Sequence, residues 1–121
     1  MPVYVDEPML NQRRFAVCNM WADSDEELLA MADRIGVSRK AILGHPELSR
    51  RSERFVNWPH FKIGEVKRAE AVRRGARQTD RYGSLEHGAR KKIASDVPKR
   101  QREGKKMLKA VEAAREKRRA L

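Results

Sequence analysis

Phe15-Ala16-Val17-Cys18-Asn19-Met20-Trp21, followed directly by Ala22-Asp23-Ser24-Asp25-Glu26-Glu27-Leu28-Leu29-Ala30-Met31-Ala32-Asp33-Arg34-Ile35-Gly36, is the stretch that decides the fold. Its first part is apolar at nearly every position, which predicts a strand covered on both faces and central in its sheet. Its second part predicts a helix. Asp23 or Ser24 can cap it, and three acids complement the positive end of the helix dipole. Leu28, Leu29, Met31, Ala32 and Ile35 form an apolar stripe, and Gly36 supplies the left-handed stop.

On the N-terminal side, Pro2 to Asp6 predicts a short strand, because Val3, Tyr4 and Val5 are β-branched or aromatic and proline is tolerated where a strand begins. On the C-terminal side, Ser38 can cap a second short helix reaching Leu43, ended by Gly44-His45-Pro46. The polar, basic segment from there to Pro59 reads as an excursion loop. His60 to Ile63 is extended again, and Glu65 to Arg74 predicts a helix with Val66, Ala69 and Val72 on one face and Gly75 as its stop. Residues Gln78 to Gly88 show no period and read as a linker. Pro98 can occupy the first turn of a last helix, whose thin seam is Met107, Leu108, Val111 and Ala114, interrupted by Gly104. Such a helix is marginal alone and needs a partner: the domain, a second copy or an anionic polymer.

These elements give an α/β fold, a small sheet flanked by helices over residues 1 to 80, with a linker and basic helical C-terminal tail over residues 81 to 121. All seven aromatic residues precede position 83, so the core has to come from the first part. Charge is distributed the other way. Residues 1 to 89 hold 15 basic and 13 acidic side chains, whereas Arg90 to Leu121 hold 13 basic and four acidic, nearly all of the net +11.

The 121-residue length excludes separate cofactor and substrate domains. No window of 18 apolar residues and no charged-then-apolar start is present, so neither a transmembrane segment nor a secretory leader is expected. A single cysteine, Cys18, excludes an internal disulfide framework and a multi-cysteine zinc cluster, and fits a reducing, cytoplasmic setting.

Several linked motifs carry a resemblance. Val3-Tyr4-Val5-Asp6, Cys18-Asn19-Met20-Trp21-Ala22-Asp23, Glu26 to Gly36, and His60-Phe61 followed by Lys67-Arg68-Ala69, Ala71-Val72 and Gly75-Ala76 resemble family 4031 of the domains of unknown function, small proteins of bacteria and their phages. The resemblance covers residues 1 to 80 and leaves the tail out. It implies a compact α/β protein, a bacterial cytoplasm (that of the host if phage-encoded), and no activity that can be named. It also implies a His after the strand cysteine and an Asp after the His-aromatic pair, where this chain has Asn19 and Lys62. A catalytic His/Asp cluster would therefore have lost an imidazole and exchanged a carboxylate for a cation. The long insert between Leu43 and Pro59 is a third departure.

Two constellations could carry chemistry. Asp6, Asp23 and His60, each at a predicted strand end, could bind a divalent cation or serve in acid-base hydrolysis, with Asn19 beside them. The ordinary alternative, two capping carboxylates and a satisfied histidine, weighs more, since no spacing matches a known metal motif. No cofactor is expected otherwise, and the balance leans away from an enzyme.

The second constellation is cationic. Arg50, Arg51, Arg54, Lys67, Arg68, Arg73 and Arg74 in the body, and Lys91, Lys92, Lys99, Arg100, Arg102, Lys105, Lys106 and Lys109 in the tail, could neutralise phosphates of DNA or RNA. Phe55 and Trp58 could stack on unpaired bases. Against this stands solvation, the usual fate of a charged face. An acidic host protein is an alternative partner for the tail. A membrane surface is disfavoured because the tail's apolar face lacks bulky side chains. Cys18 reads as a small buried hydrophobe, His45 as a turn residue and His87 as a linker residue.

Overall fold

A computed structural model describes residues 2–11, 13–49 and 58–121. The chain divides into two compact units, Met1–Arg81 and Tyr82–Leu121. The expected cations Arg50, Arg51 and Arg54, and Phe55, lie outside the described residues.

The first unit is α/β. Its strands are β1 (Val3–Val5), β2 (Met9–Leu10), β3 (Ala16–Ala22), β4 (Phe61–Gly64) and β5 (Arg77–Gln78). Its helices are α1 (Asp25–Ile35) and α2 (Glu65–Arg73). β3 is central, as its apolar run predicts. One edge takes β1 and then β2, both antiparallel, and the other edge takes antiparallel β4. β5 joins the outer edge of β1 in parallel. Between β1 and β2 the register slips by one residue: Val5 faces Met20 and Met9 faces Val17, so Glu7 and Pro8 together oppose Cys18. That is a β-bulge, where a proline without an N–H is tolerated.

Both helices of this unit cover one face of the sheet. Val3, Val5, Cys18, Met20, Ala22, Phe61 and Ile63 from alternate strand positions meet Leu28, Met31, Ala32, Ile35 and Ala71 in one core. Phe61, Met20, Leu28, Ile42 and Val5 are its largest fully buried side chains. The opposite face carries Tyr4, Asp6, Asn19, Trp21 and Lys62 by the same alternation.

The helix ends follow from local sequence. Ser24 Oγ accepts the Glu27 N–H at 3.2 Å, leaving Asp25, Glu26 and Glu27 in the first turn. Gly36 at φ 73° lets the chain turn, and the Val37 N–H reaches back to Ala32 O at 2.8 Å. Lys67 from α2 donates to Ile35 O at 2.6 Å, satisfying a carbonyl that a helix end leaves open. The expected helix from Ser38 to Leu43 shrinks to one 3-10 turn, Arg39–Ala41. The loop there is instead drawn to β4 by the pair Leu43 and His60.

The second unit is a helical hairpin, α3 (Gly83–Ile93) and α4 (Pro98–Arg119). Here the linker expected over Gln78 to Gly88 is overturned. Gln78 belongs to β5, and α3 begins at Gly83, placing His87 on a helix. The segment hides its helicity because its buried contact is made by four small residues: Gly83, Ser84, Gly88 and Ala89 face inward where larger apolar groups would announce a stripe. Gly104 on α4 is the matching element. A Cβ there would lie 2.7 Å from Ala89 O and 2.8 Å from Ile93 N, so the glycine that seems to interrupt the seam is what lets α4 approach α3. Arg115 Nη1 to Glu86 Oε1 at 3.0 Å and Lys92 Nζ to Glu103 Oε2 at 3.6 Å tie the two helices together.

Candidate functional site

The polar face of the sheet is built around Asp6. Its N–H donates to Asn19 O at 3.2 Å, as antiparallel pairing requires. The return bond does not go to the Asp6 carbonyl. Asn19 N–H instead donates to Asp6 Oδ1 at 2.7 Å, and Asn19 Nδ2 donates to Oδ2 at 3.0 Å. The freed carbonyl accepts Arg68 Nε at 2.9 Å, and Arg68 Nη2 reaches Gln78 Oε1 at 3.3 Å. The carboxylate thus replaces one ladder bond at the bulge, and Arg68 closes the gap.

Burial pushes the Asp6 carboxyl above the usual carboxylate range, against the hydrogen bonds from Asn19 and the nearby Arg68 charge, which pull it down. Burial, with the Asp6 charge, also pushes the Cys18 thiol up to about 12. His60 is buried, and its Nδ1 lies 2.9 Å from Trp58 O, a carbonyl that can only accept, so this nitrogen carries the proton. Burial lowers its pKa, keeping the ring neutral. The Trp58 ring packs 5.9 Å from that of His60 and is only 8% exposed, so it is not offered to a base.

Asn19 and Lys62, the two positions where the chain departs from the resembled pattern, are direct register partners on β3 and β4. Asp6, Asn19 and Lys62 therefore form one row across three strands. Asp23 is not part of it. The antiparallel register puts Asp23 beyond the opposite end of β1, where it accepts the Tyr4 hydroxyl at 3.4 Å. Asp23 lies four positions along the chain from Asn19, about 13 Å of extended chain. Asp6 and Asp23 are both at strand ends, but at opposite ends. Among the described residues no group of three His, Cys, Asp or Glu side chains is placed to hold a metal ion.

The cations divide by how they are used. On α2 they are engaged: Lys67 on Ile35 O, Arg68 on Asp6 O, and Arg73 and Arg74 both on Glu70, whose carboxyl they hold below its usual range. In the second unit, Arg90 and Arg115 share Glu86, Lys92 pairs with Glu103, and Arg119 pairs with Glu116. Lys91 and Arg100 are exposed. Five more, Lys99, Arg102, Lys105, Lys106 and Lys109, are exposed on α4 away from the Gly104 and Val111 side that packs on α3. Among the described residues none of these five makes an ion pair or hydrogen bond. Steps of three and four residues keep them on one face of a helix.

Sequence reasoning found the members of this face but not its limits. It grouped α2 with the tail because lysines and arginines look alike until their acceptors are known. It placed Asn19 beside Asp6 but not as the donor of both hydrogen bonds to its carboxylate, for which the strand pairing is the only signal.

Residues 3–92 match the family described as protein of unknown function (DUF4031). The match runs past residue 80 into α3, further than the resembling motifs extend. Comparison with curated proteins and with solved structures finds no match. Among the described residues no helix is long and apolar enough to cross a membrane.

Proposed function

The chain belongs to the DUF4031 family of proteins of unknown function, and from that premise we propose that it is a nucleic-acid-associated protein that holds the phosphate backbone by charge with little base readout. One observation carries this: five exposed cations on one face of α4 without acidic partners among the described residues, while the α2 cations are engaged within their own unit. Glu112 borders Lys105, Lys106 and Lys109 on this face and among the described residues pairs with none of them, so the face keeps a net positive charge. A face that meets a polyanion gains counterion release with each phosphate neutralised.

The test is a salt series of fluorescence-anisotropy titrations with generic DNA and RNA, comparing the full chain with a variant carrying Lys105→Glu, Lys106→Glu and Lys109→Glu. Affinity falling linearly in log-log with salt, and collapsing in the variant, is the expected result. No binding at low salt, or equal binding by the variant, removes the proposal. The lock at Asp6 is outside the face, so Asp6→Asn is expected to leave binding unchanged.

A further inference from the structure

We infer that the α4 face selects duplex nucleic acid over single strands. The inference rests on the reading of α4 as the interface and adds the form of its ligand.

Two features bear on it. The first is rigidity and spacing. α4 is one helix of 22 residues, and the five free cations that share one face of it lie between Lys99 and Lys109, a span of about 15 Å along the axis. Over that length a duplex presents about nine phosphate charges and a single strand in helical geometry about four to five. A fixed row of cations gains most from the denser, equally fixed row of anions. A flexible strand has to be ordered against the helix, which costs conformational entropy.

The second feature is an absence of stacking groups. Proteins that hold single strands place aromatic side chains where successive bases can lie on them. No Trp, Tyr or Phe follows Tyr82 in the sequence, so the helix has none to offer. Tyr82 itself lines an apolar groove of the hairpin with Leu85, Met107 and Val111, the last of which is on the packed side of α4. On α4 itself, where stacking has no aromatic group to use, charge density is what remains to discriminate, and it favours the duplex.

The experiment uses the full chain with a 20-base-pair duplex of mixed sequence and each of its separated strands, as DNA and as RNA, across a salt series. Binding to the duplex about tenfold tighter than to either strand at one salt concentration is expected, with a log-log slope near −4.5 for five phosphate contacts on duplex DNA. The triple Lys→Glu variant is expected to lose the preference together with the affinity. A Lys→Gln version at the same three positions repeats the comparison without introducing negative charge. Strands binding as tightly as the duplex, with a clear salt slope, would overturn the duplex inference and leave the nucleic-acid reading standing. Absence of binding to every probe would overturn both. The DNA and RNA duplex arms distinguish the two sources of the same backbone chemistry.

Discussion

The Asp6 carboxylate occupies the place in the β-ladder that its own carbonyl would normally take, accepting both the backbone N–H and the side-chain amide of Asn19 at 2.7 and 3.0 Å. This exchange turns the Asp6 carbonyl toward Arg68 and fixes α2 to the bulge between β1 and β2. A buried carboxylate here stabilises a join in the sheet, and both of its oxygens are already used.

Asp6→Ala leaves the Asn19 donors without an acceptor in a partly buried setting. It is expected to lower stability by about 1–3 kcal/mol, read as a fall in the urea midpoint at constant slope. An unchanged midpoint would show that the sheet closes without the lock.

The pH dependence follows from the raised Asp6 pKa. The folded state holds this proton at pH values where the unfolded chain has released it, so this group's contribution is fully present below the ordinary carboxylate pKa and is lost as pH rises through the higher folded value. Comparing wild type with Asp6→Asn by urea unfolding between pH 3 and 7 (about the carboxylate range), the difference in stability is expected to shift in that direction. A difference independent of pH would contradict it.

Gly104→Ala places a Cβ 2.7 Å from the Ala89 carbonyl and 2.8 Å from the Ile93 nitrogen, both backbone atoms that cannot swing aside. The hairpin is expected to lose about 1–3 kcal/mol, more with valine, despite alanine's better helix propensity. Thermal unfolding followed by helical circular dichroism measures it, and a stabilised Gly104→Ala would refute the close packing.

Lys67→Met removes the donor to Ile35 O while keeping the aliphatic stem. A loss of about 0.5–1.5 kcal/mol is expected, with the salt slope of nucleic-acid binding unaltered. A reduced slope would place Lys67 in the interface after all.

Cys18, with its thiol pushed up to about 12 and its side chain in the core, is expected to react with a thiol reagent at pH 8 about a thousandfold more slowly in the native protein than in urea. Fast native labelling would contradict the burial.

Much of this was legible from local patterns. The continuous apolar run predicted β3 and its central place, Ser24 and Gly36 marked both ends of α1, and Pro98 opened α4, because capping and strand chemistry act over a few residues. The candidate trio Asp6, Asp23 and His60 shows where local patterns stop. Being at a strand end is a local property, but which ends meet depends on strand direction, and the antiparallel pairing of β1 with β3 sends Asp6 and Asp23 apart.

What the amino-acid order determined by itself is therefore the types of β1, β3, β4, α1, α2 and α4, the charge asymmetry and the absence of aromatic residues beyond Tyr82. Each is a sum over residues or a rule of short range. Tertiary structure alone decided that residues 83–93 are a helix, since glycine and alanine carry no apolar signal until a neighbouring backbone comes close enough to need them. It also decided which cations are free. A guanidinium or ammonium is the same group in every sequence, and only the carbonyl or carboxylate that the fold brings within 3 Å of Arg68 or Lys67, and withholds from Lys105, determines whether its charge is still available to a partner.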